Sequence, residues 1–296
     1  MNRSPDRRFF LVSGTGKTGT TWLGEALNHP DAGIVCFDEG KLEPRSQLRT
    51  VLRRFGPLQY VWRRWGRKSQ SLKELENRYL GENAWLEACE YELECGVGSR
   101  YSSYFENIKS LLQRYQAVGD SHSWEPRLIP QVNDHVPVAN IIHLVRNGIL
   151  NVHSLNALNA DLFDTTPLFK EQISFYLDLF GGVCSTPWEY WCFWWSVNSQ
   201  IPYWLERNLP DTKVDTYRLE DLTSDQSYLN KILEGLSPGI TSRIGDLSGI
   251  LNKNDNRDLT GSRTPLEIWA SWSETQKRDF LRICAPTMEQ YGYLMP

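Results

Sequence analysis

The stretch from Phe9 to Leu27, FFLVSGTGKTGTTWLGEAL, constrains the fold more than any other part of the chain. An apolar run, Phe9-Phe10-Leu11-Val12, leads into a turn holding Gly14, Gly16 and Gly19, and Thr20-Thr21-Trp22-Leu23 then opens a helical pattern. That order predicts strand, phosphate loop, helix. Glycines let the backbone bend until consecutive N–H groups converge, and Lys17 adds a full positive charge. A Walker A loop needs Gly, four residues, then Gly-Lys-Ser/Thr. Here Gly16-Lys17-Thr18 supplies its end, but Leu11 stands where its first glycine belongs. The expectation is a loop for a phosphate-bearing ligand that is a poor NTPase loop. An ordinary Gly-rich turn would not need a lysine and three threonines together.

With 296 residues, 40% hydrophobic and 23% charged, the chain has enough material for one large α/β domain or two small ones. No internal repeat or low-complexity linker divides it, so a single domain over residues 1–296 is the simplest organisation. The net charge of −4 offers no bulk attraction to nucleic acid or acidic membranes, so any anion site must be local. No run of about 18 apolar residues is present, which argues against a membrane span. The N-terminal apolar run is too short for an export signal, and the expected location is cytoplasmic. Cys36, Cys89, Cys95, Cys184, Cys192 and Cys284 include no C-x-x-C pair, and reduced, mostly buried thiols are expected.

Along the chain, Gly33 to Phe37 reads as a second strand with Asp38-Glu39 at its end, and Ala117 to His122 as a third. In open α/β sheets ligands sit beyond the carboxyl ends of the strands, which makes Glu39 a candidate for chemistry. Residues 42–115 are helical and basic-aromatic, including Arg63, Arg64, Arg67 and Lys68, and are expected to form a cap over the ligand rim. Ala139 to Val145 reads as a buried strand, turned by Arg146-Asn147-Gly148 into a helix from Ile149 to Leu158. Arg146 is suited to bidentate phosphate recognition, and the hydroxyl of Ser154 can complete such a site. Residues 161–185 are irregular, an aromatic helix runs from Pro187 to about Asn208, and Thr212 to Tyr217 is a further strand. Glu220 and Asp221 after it are expected to cap the next helix and hold Arg218 rather than bind a metal. Residues 238–268 read as a mobile loop awaiting an anion, and a final helix spans Ser273 to Gln290.

Taken together, these segments resemble the sulfotransferases that use 3′-phosphoadenosine 5′-phosphosulfate (PAPS). The family's loop reads P-K-S-G-T-T-W, and Gly16-Lys17-Thr18-Gly19-Thr20-Thr21-Trp22 resembles it, lacking its proline and carrying Thr18 in place of its serine. Its second motif places Arg and then Ser at the spacing of Arg146 and Ser154. Thr216 to Leu222 is similar to the family's R-Y-E-D-L strand end, and Trp269 to Tyr293 to its C-terminal W…G-Y tail. The resemblance implies a parallel P-loop-type sheet flanked by helices and metal-independent sulfuryl transfer from PAPS, leaving adenosine 3′,5′-bisphosphate (PAP). It also implies site roles. Gly16, Lys17, Thr18, Gly19, Thr20 and Thr21 would hold the 5′-phosphate, Trp22 would lie against adenine, and Arg146 with Ser154 would hold the 3′-phosphate. Arg263, in Gly261-Ser262-Arg263, is the nearest match to the family's C-terminal phosphate loop. Lys17 would stabilise the leaving phosphate. Glu39 or His122 would take the acceptor's proton, Glu39 fitting the local context and His122 the better basicity at neutral pH. The acceptor would be a small molecule, carbohydrate or lipid-like hydroxyl or amine. A P-loop kinase and a non-catalytic binding module remain the alternatives.

Overall fold

The computed structural model describes residues 7–38, 100–121, 128–159, 184–244, 247 and 263–296. Its centre is a parallel sheet of five strands: β1 (Arg8–Gly14), β2 (Ile34–Asp38), β3 (Ala117–Ser121), β4 (Val138–Val145) and β5 (Lys213–Arg218). They lie in the order β2-β3-β1-β4-β5, every neighbouring pair parallel. The helices are α1 (Thr20–Ala26), α2 (Arg100–Leu112), α3 (Ile129–His135), α4 (Gly148–Asn159), α5 (Pro187–Asn208), α6 (Leu219–Ser224), α7 (Gln226–Leu236), α8 (Pro265–Ser271) and α9 (Glu274–Gln290). This is the parallel α/β architecture expected from the opening stretch.

The near-continuous apolar strands follow from helices covering both sheet faces. Alternation sends Phe9 and Leu11 of β1 into a cluster with α2, α3 and α5, and Phe10 and Val12 into one with α1 and α7. A third cluster joins α4, α5, α8 and α9 through Ile149, Trp191, Trp195, Trp272, Phe280 and Met288. Local signals set the helix starts. Thr186 and Glu189 form a capping box with Pro187 in the first turn of α5, and Thr264 with Glu267 and Pro265 does the same for α8. Ser273 and Gln276 form the box that starts α9.

One boundary differs from the sequence reading. α8 occupies the last part of the range read as a loop, residues 238–268. The cap range 42–115 is described only from residue 100 onward, where α2 lies; Arg63, Arg64, Arg67 and Lys68 fall outside the described residues, and of the range 161–185, read as irregular, only residues 184 and 185 are described. Cys36, Cys192 and Cys284 are buried and Cys184 is half-buried, while Cys89 and Cys95 are outside the described residues. Among the described residues no helix is long and apolar enough to cross a membrane.

The topology fixes where a ligand can sit. The chain leaves β1 toward β3 and β2 but leaves β4 toward β5, so the segments after these two neighbouring strands diverge. Their carboxyl ends mark the switch point of the sheet, the place where open α/β sheets take up ligands.

Candidate nucleotide site

The loop after β1 is shaped by its threonines. Thr18 donates both its hydroxyl, at 2.6 Å, and its N–H, at 3.2 Å, to the carbonyl of Thr15, closing a tight turn with Thr15 and Thr18 buried beneath it. Gly16 and Lys17 are left exposed on top. Two residues take left-handed backbone, Lys17 at φ 70° and Gly19 at φ 87°. A non-glycine residue in that region is uncommon, so the surroundings must hold Lys17 there. Gly19 is also the N-cap of α1 and offers no side chain, so the first-turn amides of α1 are not taken by a capping group, unlike those of α5, α8 and α9. Thr20 and Thr21 follow at the helix start, half-buried, and Trp22 packs on the α1–α7 cluster.

The second half of the site comes from β4 and α4. Only Arg146 and Asn147 separate the end of β4 from the start of α4. Asn147 caps the helix, its Oδ1 accepting from the N–H groups of Ile149 (3.0 Å) and Leu150 (3.4 Å). Asn147, Asn151 and Ser154 recur at helical spacing and share one face. That face is turned to the loop. Asn151 Nδ2 donates to the Gly16 carbonyl at 3.0 Å, and the buried Arg146 guanidinium donates to the Lys17 carbonyl at 3.2 Å. Two consecutive loop carbonyls are therefore held from the α4 side, and the planar trans peptide sends the Lys17 N–H away from Asn151. Asn151 Oδ1 and Thr15 Oγ1 are buried with no hydrogen-bond partner. Such orphaned oxygens beneath an exposed loop are uncommon in settled interiors. Ser154 is buried one turn beyond Asn151.

Arg263 is brought to the same helix. Its Nη2 lies 2.8 Å from Nε2 of His153, the residue before Ser154. A guanidinium only donates, so His153 Nε2 must be the unprotonated acceptor. The structure thus brings Gly16 to Thr18 together with Arg146 and Asn151 at the ends of β1 and β4, with Ser154 one turn further along α4, while Arg263 meets that helix at His153. Glu39 and His122, the two base candidates, lie outside the described residues. They follow Asp38 and Ser121, which pair in register at the ends of β2 and β3.

Arg218 and Asp221 pair as expected, in a two-point ion pair at 2.7 Å each. Glu220 does not share that role; its carboxylate turns toward Asn147. Sequence reading also missed Asn151 and His153, although the spacing from Asn147 to Asn151 to Ser154 was a usable signal. It missed His143 as well. This residue pairs with Ser13 in the sheet, is buried, and neither ring nitrogen has a hydrogen-bond partner. Burial pushes its pKa down to about 4, an effect that the nearby Asn198 backbone only partly opposes. His143 is accordingly neutral at pH 7.

A five-stranded parallel sheet with a Gly/Lys/Thr loop on its central strand and an arginine turn on the neighbouring one fits a P-loop-type α/β fold, with both segments at the switch point of the sheet. No protein-family model matches the chain, and no curated protein matches it. Among solved structures, it is similar to the sulfotransferase domain from the Synechococcus PCC 7002 olefin synthase, at 16% identity and a TM-score of 0.43 over 100% of this chain and 98% of that one. It is also similar to a sulfotransferase from Alicyclobacillus acidocaldarius, at 13% identity and a TM-score of 0.42 over 99% and 98%. The sulfotransferase domain from the curacin biosynthetic pathway gives 14% identity and a TM-score of 0.42 over 100% of both chains.

Proposed function

We propose that this protein is a sulfotransferase that moves a sulfuryl group from PAPS to a hydroxyl or amine of a small-molecule, carbohydrate or lipid-like acceptor. The observation that carries this reading is the contact of Arg146 with the Lys17 carbonyl across 129 positions of sequence. It ties the two motif segments together, as a clamp on two phosphates of one nucleotide would require. The amides and hydroxyls from Gly16 to Thr21 suit the 5′-phosphate, and Trp22 stands beside them for the adenine. Arg146 and Ser154, with Arg263 alongside, suit the 3′-phosphate. A clamp of this kind fits PAP and offers a mononucleotide only half of its contacts.

PAPS supplies an activated sulfuryl group. The acceptor oxygen or nitrogen forms a bond to sulfur as the bond from sulfur to the 5′-phosphate oxygen breaks, and negative charge grows on that leaving oxygen. Lys17, on the exposed top of the loop, is the group to neutralise it, and the loop amides share that work. Positioning and electrostatics carry most of such a transfer. The acceptor's proton goes to Glu39 or His122, a contribution worth about a hundredfold to ten-thousandfold.

The test is PAPS turnover against a mixed acceptor set, with PAP binding followed by calorimetry. Lys17→Ala and Arg146→Ala should each abolish transfer, and turnover should persist in a chelator, which separates the reaction from a magnesium-dependent kinase. Glu39→Gln and His122→Ala compared side by side identify the base; full activity in both removes both candidates. A wild-type protein that does not bind PAP refutes the reading.

A further inference from the structure

Near its C-terminus the chain carries Gly292-Tyr293, a pair that binding a nucleotide at the ends of β1 and β4 does not in itself require. Its local role is to end α9. Gly292 sits at φ 68°, its N–H donates to the Glu289 carbonyl at 2.9 Å, and the Tyr293 N–H donates to the Met288 carbonyl at 2.9 Å. These two bonds with a left-handed glycine form a Schellman ending, which turns the chain back on the helix. The reversal drops the largely buried Tyr293 ring beside the β4–α4 turn.

There the tyrosine meets the arginine turn through one carboxylate. Tyr293 donates its hydroxyl to Glu220 Oε2 at 2.8 Å, and Glu220 Oε1 accepts the Asn147 N–H at 2.9 Å. The same hydroxyl lies 3.4 Å from the Val145 carbonyl. The Arg146 carbonyl accepts from Trp195 Nε1 at 3.0 Å, and the Gly148 N–H points at Met288 Sδ at 3.3 Å. From Arg146 to Gly148, then, every residue has a backbone group held by a side chain from α5, α6 or α9. Burial and the Glu220 carboxylate push the Tyr293 pKa well above the ordinary phenol value, so its hydroxyl stays a donor at any working pH.

We propose that Glu220 and Tyr293 are positioning residues that fix the backbone carrying Arg146 and so set the affinity of the site for a 3′-phosphate. This inference rests on the nucleotide reading above. A purely structural staple between the tail and the sheet would affect all ligands of the site alike. A positioning role affects only what Arg146 touches.

The experiment is calorimetry of PAP and of adenosine 5′-monophosphate, which lacks the 3′-phosphate, on the full-length wild type, Tyr293→Phe and Glu220→Gln, with thermal melts alongside. Tyr293→Phe keeps the ring and its packing, so it remains informative even if Glu220→Gln does not fold. Tyr293→Phe leaves Glu220 Oε2 without its donor, and Glu220→Gln keeps only one acceptor oxygen for the two donors that the carboxylate served; the expected result is PAP binding weakened by about tenfold. Binding of the monophosphate should stay within about twofold of wild type, since the loop is reached only through the single Arg146–Lys17 bond and Asn151 still holds the Gly16 carbonyl. An unchanged ratio of the two affinities in Tyr293→Phe overturns the proposal. Failure of the wild type to bind PAP at all is a different result, and it overturns the nucleotide reading beneath it.

Discussion

Gly16 and Gly19 look equivalent in the motif, yet the structure assigns them opposite sensitivities. Gly19 lies at φ 87°, and a Cβ built on it would come within 2.8 Å of Leu219 Cδ1. Gly16 is not left-handed, and its Cβ would rest 3.6 Å from Leu155 Cδ2, an ordinary contact. Left-handed backbone costs an L-residue about 1–2 kcal/mol, to which displacement of Leu219 adds. Gly→Ala at a compatible position stabilises by about 0.4–1 kcal/mol, because the unfolded chain has fewer states to lose. Gly19→Ala is therefore expected to destabilise by about 1.5 kcal/mol and Gly16→Ala to stabilise by about 0.5 kcal/mol. For a domain of this size about 1 kcal/mol moves Tm by about 2–4 °C, so the two melts should separate by roughly 6 °C, with Gly19→Ala the lower. Differential scanning calorimetry of the ligand-free proteins measures it. Coincident melts, or the reverse order, would refute the loop geometry described above.

Other residues give further expectations. His143 has a native pKa of about 4 against 6.5 when exposed, so the unfolded chain binds a proton that the native one does not. The stability this confers is complete above pH 6.5 and is lost as pH falls toward 4. It amounts to about 2 kcal/mol between pH 7 and pH 5, read as a steeper pH dependence of urea unfolding in wild type than in His143→Leu; parallel profiles would contradict it. Asn151→Ala frees the Gly16 carbonyl and should weaken PAP and adenosine 5′-monophosphate together, by about fivefold each in calorimetry, leaving their ratio unchanged. Asn151→Asp should be worse than Asn151→Ala, because it sets a carboxylate against a carbonyl oxygen next to an anion site.

What could be seen in the sequence was whatever is encoded locally. The bounds of α5 were legible because Thr186, Pro187 and Glu189 write a start signal in four consecutive residues. The loop was legible for the same reason, and so was the Arg146 turn. The helix α7 carried a readable pattern in Leu229, Ile232, Leu233 and Leu236 behind an Asp225 cap, but the reading expected a helix after the strand without giving it bounds. The start of α8, with its own capping box, was obscured by the polar run that precedes it. Non-local partnerships left no such trace. Nothing near Glu220 says that its carboxylate goes to Asn147 while Asp221 takes Arg218, since both fit a helix start. Nothing near Lys17 says that it adopts left-handed backbone, a state that its own side chain disfavours and only its neighbours' hydrogen bonds sustain.

Those neighbours explain why the clamp depends on the whole chain. Only Arg146 and Asn147 lie between β4 and α4, too few for the connection to hold itself through its own backbone bonds. Its polar groups must find partners elsewhere, and they find Trp195, Glu220, Met288 and Tyr293. Arg146, once fixed, holds the Lys17 carbonyl, and Asn151 holds that of Gly16. The loop's outward-facing amides thus rest on a sequence of contacts that begins three residues from the C-terminus and ends at the first loop of the fold. Each link is a single hydrogen bond, worth about 1 kcal/mol when intact and more when one partner is left buried alone. A change at Tyr293 should therefore act on the near end of that sequence, at Arg146, before it acts on the far end at Lys17. That is why a ligand with a 3′-phosphate and one without it are the pair of probes that can tell the links apart.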